Sequence, residues 1–490
     1  MRKKILLLKK ILLLTKNSNK KIKFKNEKIN NINLNSNNIK KGDLYISLIG
    51  KKYKGNSFIK SAINRGAKFV ITDNKFGNKN LPVLYDNKIR KKLPILLKYF
   101  YKPLPKNLIA ITGTNGKTSV SWYLHQLLLL KKLNSSYVGT IGEYYKKNKK
   151  SSLEITTPDI CSLFKIANNH AQKNSKYFIF EASSHGIDQK RIEGLPINIA
   201  VITNISKDHL DYHKNYTSYK SIKLNLFTKF LNKNGIAILN SKINYPLKFK
   251  KELKRKSIKI ITYGSKKSNI FIENKLNKNY IYINKKKIKI QEKIDNIQII
   301  ENLECSFAIL LALGLLNKKI IGEINKIKNP SGRMEECYKL NNLSRVFIDF
   351  AHTPDAISSI LDFAYNKFNK KANILFGCGG DRDKSKRISM GRIANLKANK
   401  IYLTDDNPRN ENPSKIRSDI YKGCSRAKLI PNRRVAIKIA LQELKQNEIL
   451  IIAGKGHEKY QIIKERKFLF DDLKIANNYI KKINEKSVRK

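Results

Sequence analysis

A short loop, Gly113-Thr114-Asn115-Gly116-Lys117-Thr118-Ser119, follows directly on the apolar run Leu108-Ile109-Ala110-Ile111. A buried strand that breaks into glycines and then a helix leaves several backbone N–H groups pointing at one spot. Such a nest, with the helix N-terminus behind it, holds phosphate. Lys117 supplies a point charge for the outer phosphates, and Thr118 a hydroxyl for a magnesium ion. The spacing is Gly-x-x-Gly-Lys-Thr, and Ile111 stands where the longer, commoner loop has its first glycine. A plain glycine turn would need neither the lysine nor the threonine. The expectation is a nucleoside-triphosphate site built from Gly113 through Ser119.

Further along, islands of His, Asp, Gly and Glu stand out from a background of Lys and Asn. They are Glu181-Ala-Ser183-Ser-His185-Gly186, Thr203 to His213 with Asp208-His209 inside it, Gly379-Gly-Asp-Arg382-Asp-Lys384, Asp405-Asp406-Asn407-Pro408-Arg409, and Gly454-Lys-Gly-His457-Glu458. An enzyme with a phosphate loop needs a carboxylate at a strand end to hold magnesium, and Glu181 is placed for it. Asp208 and His209 suit a second cation or the orientation of a water. Each alone would more often be a loop acid or a satisfied histidine. Their shared placement after strand candidates favours a site.

The elements that must position these residues read as α/β with largely parallel sheets, since strand and helix patterns alternate. Strand candidates are Gly42–Leu48, Ala67–Thr72, Leu108–Ile111, Tyr177–Glu181, Ile199–Asn204, Gly235–Asn240, Ile258–Tyr263, Val346–Phe350, Asn373–Gly377, Ile401–Thr404 and Ile449–Ala453. Prolines in Tyr101–Lys106 and the turn cluster Asn329-Pro-Ser-Gly-Arg333 divide the chain into 1–105, 106–329 and 330–490. The Lys- and Asn-rich stretch Lys266–Lys287 is expected to form solvated hairpins. In open α/β sheets ligands bind beyond the carboxyl ends of strands, so the polar islands are expected to converge on one cleft between the second and third units.

The chain has 490 residues, 41% of them hydrophobic, enough for about three domains and too apolar for wholesale disorder. Its net charge of +64 raises the question of nucleic acid. The lysines, however, are spread through strands, loops and helices alike, as in a genome drifting toward A and T, and no nucleic-acid module is recognisable. No specific nucleic-acid partner is expected. The five cysteines are scattered, without a Cys-x-x-Cys pair, which points to a reducing compartment and away from disulfides or zinc. The basic segment Met1–Asn30, its Leu runs split by Lys9-Lys10, lacks a secretory apolar core and is expected to be an amphipathic helix. No run approaches the roughly 18 apolar residues of a membrane span. These features point to the cytoplasm and to no membrane insertion.

Taken together, the short loop, Glu181-x-Ser-Ser-His, Asp208-His-Leu-Asp and Asp406-Asn-Pro-Arg409 resemble the Mur ligases of peptidoglycan synthesis, over about Leu34 to Asp472. The resemblance implies a uridine-nucleotide domain, a central P-loop ATPase domain and a Rossmann-like carboxy-terminal domain that closes on ATP about Asn329–Arg333. It implies ATP-dependent amide-bond formation through an acyl phosphate on the D-glutamyl side chain of a UDP-linked muramoyl dipeptide. Lys117, Glu181, His209 and Lys223 are then the catalytic group. Thr118, Glu181, His209 and a carbamylated Lys223, fourteen residues after His209, are the magnesium ligands. Asn302, Arg333 and Asp349 contact the nucleotide beside the loop. Leu34, Ser36, Thr156, Thr157, Ser183, Gln189 and Arg191 contact the UDP substrate. Where the family often has Asp-Ser-Arg, this chain has Asn35-Ser36-Asn37, and Lys51-Lys52-Tyr53 replaces a less basic loop.

Arg382, Asp406, Asn407, Pro408, Arg409, Gly454 and Glu458 match positions around meso-2,6-diaminopimelate. That amino acid differs from lysine by a carboxylate at its far end, which a guanidinium grips with two parallel charge-assisted bonds. Family members that add lysine lack Asn-Pro-Arg at these positions. A lysine-adding or folylpolyglutamate-type ligase and a nucleic-acid-binding NTPase remain the rival readings.

Overall fold

The computed structural model describes residues 28–50, 55–77, 81–275, 278–291 and 297–488. Most of the expected amino-terminal helix and the Lys51-Lys52-Tyr53 loop lie outside the described residues.

Three sheets organise the chain. The first is parallel, its strands in the order Ile32–Asn33, Asp43–Ser47, Ala67–Thr72, Val83–Tyr85. The second has a parallel heart in the order Lys259–Tyr263, Leu231–Asn240, Ile197–Ile202, Asn107–Thr112, Tyr177–Glu181, Ser135–Gly139. Hairpins extend it at both edges. The third runs Glu335–Glu336, Arg345–Ile348, Ile449–Ile452, Asn373–Phe376, Ile401–Leu403, Lys428–Leu429, and only its first strand is antiparallel.

Leu108, Ile109, Ala110 and Ile111 are all fully buried, because the central strand is covered on both faces. The two-residue alternation of a strand sends Leu108 and Ala110 into one core and Ile109 and Ile111 into another. The second core receives Val120, Leu124 and Leu127 from the helix Lys117–Leu130, which starts at the phosphate loop, and Leu303, Phe307 and Leu310 from the helix Ile297–Ala312. The first core runs on without a break into Ile32, Leu44, Phe69 and Leu97 of the amino-terminal sheet region. Tyr101, inside the proline-bearing connection, is buried there and its hydroxyl accepts the Ile32 N–H at 3.2 Å.

Two expectations need correction. The stretch Lys266–Lys287 is not simply solvated: Ile270, Ile272 and Ile281 point into the second core, while Lys266, Lys267, Lys285, Lys286 and Lys287 are exposed. The strand expected at Ile199–Asn204 is Ile197–Ile202. Past its end Thr203 and Asn204 stay bonded to the loop segment: the Thr203 N–H donates to the Thr112 carbonyl at 3.0 Å, Thr203 Oγ1 donates to the Asn115 carbonyl at 2.5 Å, and Asn204 Oδ1 accepts the Asn115 N–H at 2.9 Å.

Candidate active site

Strand ends of the second and third sheets face each other across a cleft of about 1220 Å³, open solvent included. It is lined from one side by Thr114–Thr118, Thr156, Ser183, Asp208, His209 and Lys223, and from the other by Arg382, Lys386, Asp406, Asn407, Arg409, Gly454 and Glu458. The convergence expected from strand-end placement is therefore found.

In the phosphate loop Gly113 and Gly116 have φ of 150° and 82°. A Cβ on Gly113 would sit 1.8 Å from Thr203 Oγ1, and one on Gly116 2.7 Å from Asn302 Oδ1, so no side chain fits at either position. Lys117 Nζ donates to the Gly113 and Thr114 carbonyls, both at 2.8 Å. Lys223, carried by the helix Tyr216–Asn225 and 1% exposed, donates to the same Gly113 carbonyl at 2.7 Å. Its ammonium lies 4.4 Å over the Tyr219 ring, whose hydroxyl pairs with Thr114 Oγ1 at 3.1 Å. Burial, then the neighbouring Lys117, pushes Lys223 well below the ordinary lysine range, and burial lowers Lys117 too.

Thr118 Oγ1 donates to Glu181 Oε2 at 3.0 Å. Glu181 is fully buried, and its other contacts come from residues that sequence reasoning missed. The Tyr137 hydroxyl donates to Oε1, as does the Thr140 N–H at 2.9 Å, while Thr140 Oγ1 donates to Oε2 at 2.9 Å. A Cβ on Gly139 would come within 2.2 Å of Glu181 Oε1. These residues end the strand Ser135–Gly139, which pairs directly with Tyr177–Glu181. The available signal was the glycine at a strand end.

Asp208 is buried, with His209 Nε2 at 3.5 Å, Lys386 Nζ at 3.8 Å and His352 Nε2 at 3.9 Å. Burial alone would raise the Asp208 carboxyl, but His209, Lys386 and His352 together hold it well below the usual carboxylate range. Burial lowers His209 to about 3 and His352 to about 4, so both rings are neutral near pH 7. Among the described residues no three His, Cys, Asp or Glu side chains form a ready-made metal cage.

Beside Glu181, Thr156 Oγ1 pairs with Thr140 Oγ1 at 3.2 Å. Thr157 lies one layer behind the cleft: its hydroxyl donates to the Glu181 carbonyl at 2.8 Å and accepts the Ser183 N–H at 2.9 Å. Arg191 supports it from outside through Nη1 to the Thr157 carbonyl at 2.9 Å, and Gln189 Oε1 accepts from Arg191 Nε at 3.1 Å. Leu34 and Ser36 are not brought to this cleft. Leu34 packs against the first core, and Ser36 is buried in a single turn, Ser36–Asn38.

Across the cleft, Arg409 has φ of 51° and its Nη1 donates to the Gly380 carbonyl at 2.8 Å. Gly380 is obligatory, since a Cβ there would meet the Pro408 carbonyl at 1.9 Å. The Asn407 N–H donates to Asp406 Oδ1 at 2.7 Å, and a Cβ on Gly454 would lie 2.5 Å from Asp406 Oδ2. Asn407 Nδ2 donates to Glu458 Oε2 at 2.8 Å. That same oxygen meets the fully buried Lys455 at 3.2 Å, a partner inside the chain that the sequence did not reveal. Arg382 is exposed and also lines the cleft.

A second hollow beside the loop is lined by Asn115, Gly116, Ser119, Tyr123, Asn302, Arg333 and Asp349, which brings the three expected nucleotide residues together. The Asp349 carboxylate accepts the Met334 N–H at 2.8 Å and the Ala351 N–H at 2.7 Å, and the Arg333 guanidinium lies 4.6 Å over the Phe350 ring.

Gly332, in the same turn, has φ of +69°, and a Cβ there would fall 2.1 Å from the His457 nitrogen. The residue is thus a close backbone contact of the Gly456–Glu458 loop. Gly332→Ala is expected to push the Gly456–Glu458 loop out of register, lowering turnover by roughly 100-fold with nucleotide affinity changed by less than about threefold. Parallel titration of nucleotide binding and phosphate release checks this, and equal losses in both would sink it.

Comparison with known proteins agrees with this geometry. Residues 28–102 match the Mur ligase family catalytic domain, 111–310 the Mur ligase middle domain and 332–456 the Mur ligase glutamate ligase domain. A UDP-N-acetylmuramoyl-L-alanyl-D-glutamate–2,6-diaminopimelate ligase from Rickettsia montanensis is 40% identical over 479 residues, covering 94% of this chain and 97% of the relative. One of the same name from Wigglesworthia glossinidia brevipalpis is 35% identical, covering 93% and 95%. A solved structure carrying that name aligns with a TM-score of 0.66 and 28% identity over 98% of this chain and 99% of its own. A MurF ligase from Thermotoga maritima in complex with ADP shares the fold, with a TM-score of 0.65 and 15% identity over 94% and 98%. With family domains matched along most of its length and full-length relatives at this identity, the chain belongs to the Mur ligase family, the ATP-dependent ligases of peptidoglycan synthesis.

Proposed function

We propose that this chain joins meso-2,6-diaminopimelate to the D-glutamyl side-chain carboxyl of UDP-N-acetylmuramoyl-L-alanyl-D-glutamate at the expense of ATP. The observation that carries the reading is the facing of Lys117 and the Thr118–Glu181 pair by Arg409 across one cleft. The named relatives support the substrate pair.

In this reading the phosphate-loop N–H groups and Lys117 hold the ATP phosphates while a carboxylate oxygen of the dipeptide attacks the γ-phosphorus. The bond to ADP breaks and an acyl phosphate forms. The unprotonated amine of diaminopimelate, held through its far carboxylate by Arg409, then attacks the acyl carbon. Phosphate leaves and the amine's proton is lost. The walls of the cleft keep water from the acyl phosphate. Thr118 Oγ1 and Glu181 offer the hard oxygen donors that magnesium takes, and His209 stands near a second position. Magnesium, when bound, neutralises charge on the transferring phosphoryl group. The same reading assigns 1–105 to the UDP moiety, 106–329 to ATP and 330–490 to the amino acid.

Carbamylation of Lys223 belongs to this proposal. An amine adds to carbon dioxide only when neutral, and burial beside Lys117 favours the neutral amine. Adding the carbamate's negative charge between two lysine-bearing segments also relieves their repulsion. Wild-type protein in labelled bicarbonate is expected to show a carbamate carbon signal that Lys223→Met lacks, and removal of carbon dioxide is expected to lower turnover. A Lys223→Met enzyme with wild-type turnover would remove the carbamate from the mechanism.

The test of the whole reading is phosphate release from ATP and magnesium with the UDP-linked dipeptide, comparing diaminopimelate with lysine. Turnover with diaminopimelate alone is expected. Turnover with lysine alone would keep a ligase and discard the role of Arg409.

A further inference from the structure

Lys386 opens the helix Lys386–Lys397 of the third unit and is only 8% exposed, yet its side-chain ammonium makes no hydrogen bond within that unit among the described residues. Its ion-pair partner is Asp208 of the central unit, 3.8 Å away and 5% exposed at the side chain. The adjacent residue does the opposite. Arg387 is locked inside the third unit, with Nη2 on Glu411 and Nη1 on Asp419, both at 3.0 Å. Gly391 seats the same helix against the Ile420 carbonyl, where a Cβ would come within 2.3 Å. The helix is therefore a rigid part of the third unit, and whether Lys386 reaches Asp208 depends on where that unit stands relative to the phosphate loop.

The other third-unit group near Asp208 is His352. Its Nδ1 lies 2.8 Å from the Phe350 carbonyl and so carries the proton, which leaves Nε2 of the neutral ring facing Asp208 as an acceptor. Of these two groups, it is thus Lys386 that attracts Asp208. A second ion pair between these units, Lys467 with Glu154 at 3.5 Å, is exposed at 54% and 88% and is screened by water and salt. The Lys386–Asp208 pair lies in a far less polar setting, where the same separation carries more energy.

We propose that Lys386 is a positioning residue of the ligase: by pairing with Asp208 it holds the third unit closed, with Arg409 in register with the phosphate loop. The inference rests on the ligase reading for its kinetic consequence but not for its structural one. Closure brings a cation to an acid that borders the nucleotide and the metal-binding side chains, so it is coupled to occupancy of that site. Lys386 also works through Asp208 and not on the amino acid directly, so its loss should show in turnover before it shows in either substrate's binding.

The experiment uses the full chain with Lys386→Met and Lys386→Arg, first checked for a wild-type melting transition. Turnover and KM are measured, and closure is followed by small-angle scattering with and without a non-hydrolysable ATP analogue and magnesium. For Lys386→Met, kcat is expected to fall roughly 100-fold with ATP affinity within about threefold of wild type, and the nucleotide-dependent compaction is expected to be lost. Lys386→Arg, which keeps the charge, is expected to recover compaction and most of the turnover. Normal compaction in the Met variant, or no recovery in the Arg variant, overturns the proposal. If the Met variant does not fold, Lys386→Gln takes its place with the same expectations. If wild-type protein turns over no diaminopimelate, the ligase reading fails while the scattering comparison still decides the role of Lys386.

Discussion

Arg409→Met is expected to raise KM for diaminopimelate steeply and to abolish its preference over lysine, leaving KM for ATP nearly unchanged. The side chain is pinned at one nitrogen only, Nη1 on the Gly380 carbonyl, so Nε and Nη2 have no protein partner among the described residues. Those two parallel N–H groups form the edge that binds a carboxylate in bidentate fashion. Burial, then the nearby positive charge of Arg382, lowers the affinity of Arg409 for its own proton, and a carboxylate placed between them would reverse both effects. Removing one side of such a pair costs about 2–5 kcal/mol, or a roughly 30- to 4000-fold loss in kcat/KM. Lysine lacks the far carboxylate and should lose little. The ratio of kcat/KM for the two amino acids reads this directly: a preference that survives in Arg409→Met would move recognition elsewhere, with Arg382 the next candidate. Arg409→Lys should fall between, since an ammonium keeps the charge and loses the planar fork.

What could be read from the sequence, and what could not, follows from where each interaction is encoded. The phosphate loop was legible because strand, glycines, lysine and helix are contiguous, and the backbone conformation of Gly113 and Gly116 needs them there. The polar islands were legible because strand ends collect ligand-binding residues, and the parallel sheets put those ends on one side. The grip on Glu181 was not legible. Tyr137, Gly139 and Thr140 reach it through the pairing of two strands some forty residues apart in the chain, which leaves no local pattern. Lys455 and Lys386 were hidden for another reason: among 101 Lys and Arg residues, one more lysine carries no signal until its burial is known. The strand end at Ile202 was misplaced because Thr203 and Asn204 stay hydrogen-bonded to the loop segment beyond the last strand pair, Ile202 with Thr112, as bonds of the Thr203 N–H to the Thr112 carbonyl and of the Thr114 N–H to the Asn204 carbonyl show. Leu34 and Ser36 rest on family resemblance alone, and their distance from the cleft leaves their role to the placement of a long UDP-linked substrate.

Lys117→Met is expected to separate activity from stability more cleanly than any other change in this site. For activity the loss should be at least roughly 1000-fold in kcat, the scale on which a single cation acts on a transferring phosphoryl group. For stability the terms oppose one another. Desolvation lowers the proton affinity of the ammonium in the folded chain, opposed by the charges of Glu181 and Asp208 and helped by that of Arg333. It also donates to two carbonyls, but in the unmodified protein only the Thr114 carbonyl depends on it, because the Gly113 carbonyl keeps Lys223. One orphaned carbonyl costs about 1–3 kcal/mol, and removing a desolvated cation offsets part of that cost, so the change in stability is expected to be small beside the loss of activity. The pH dependence has a definite sign. A lysine whose proton affinity is lower when folded binds fewer protons in the native than in the unfolded chain, so wild-type stability gains as pH rises from that depressed value toward 10.5. Lys117→Met should flatten that rise. Thermal melts across alkaline pH, paired with phosphate-release assays, test both halves. A variant that loses activity because it unfolds would show a collapsed melting temperature at every pH, and that result would place Lys117 in the architecture of the loop ahead of its chemistry.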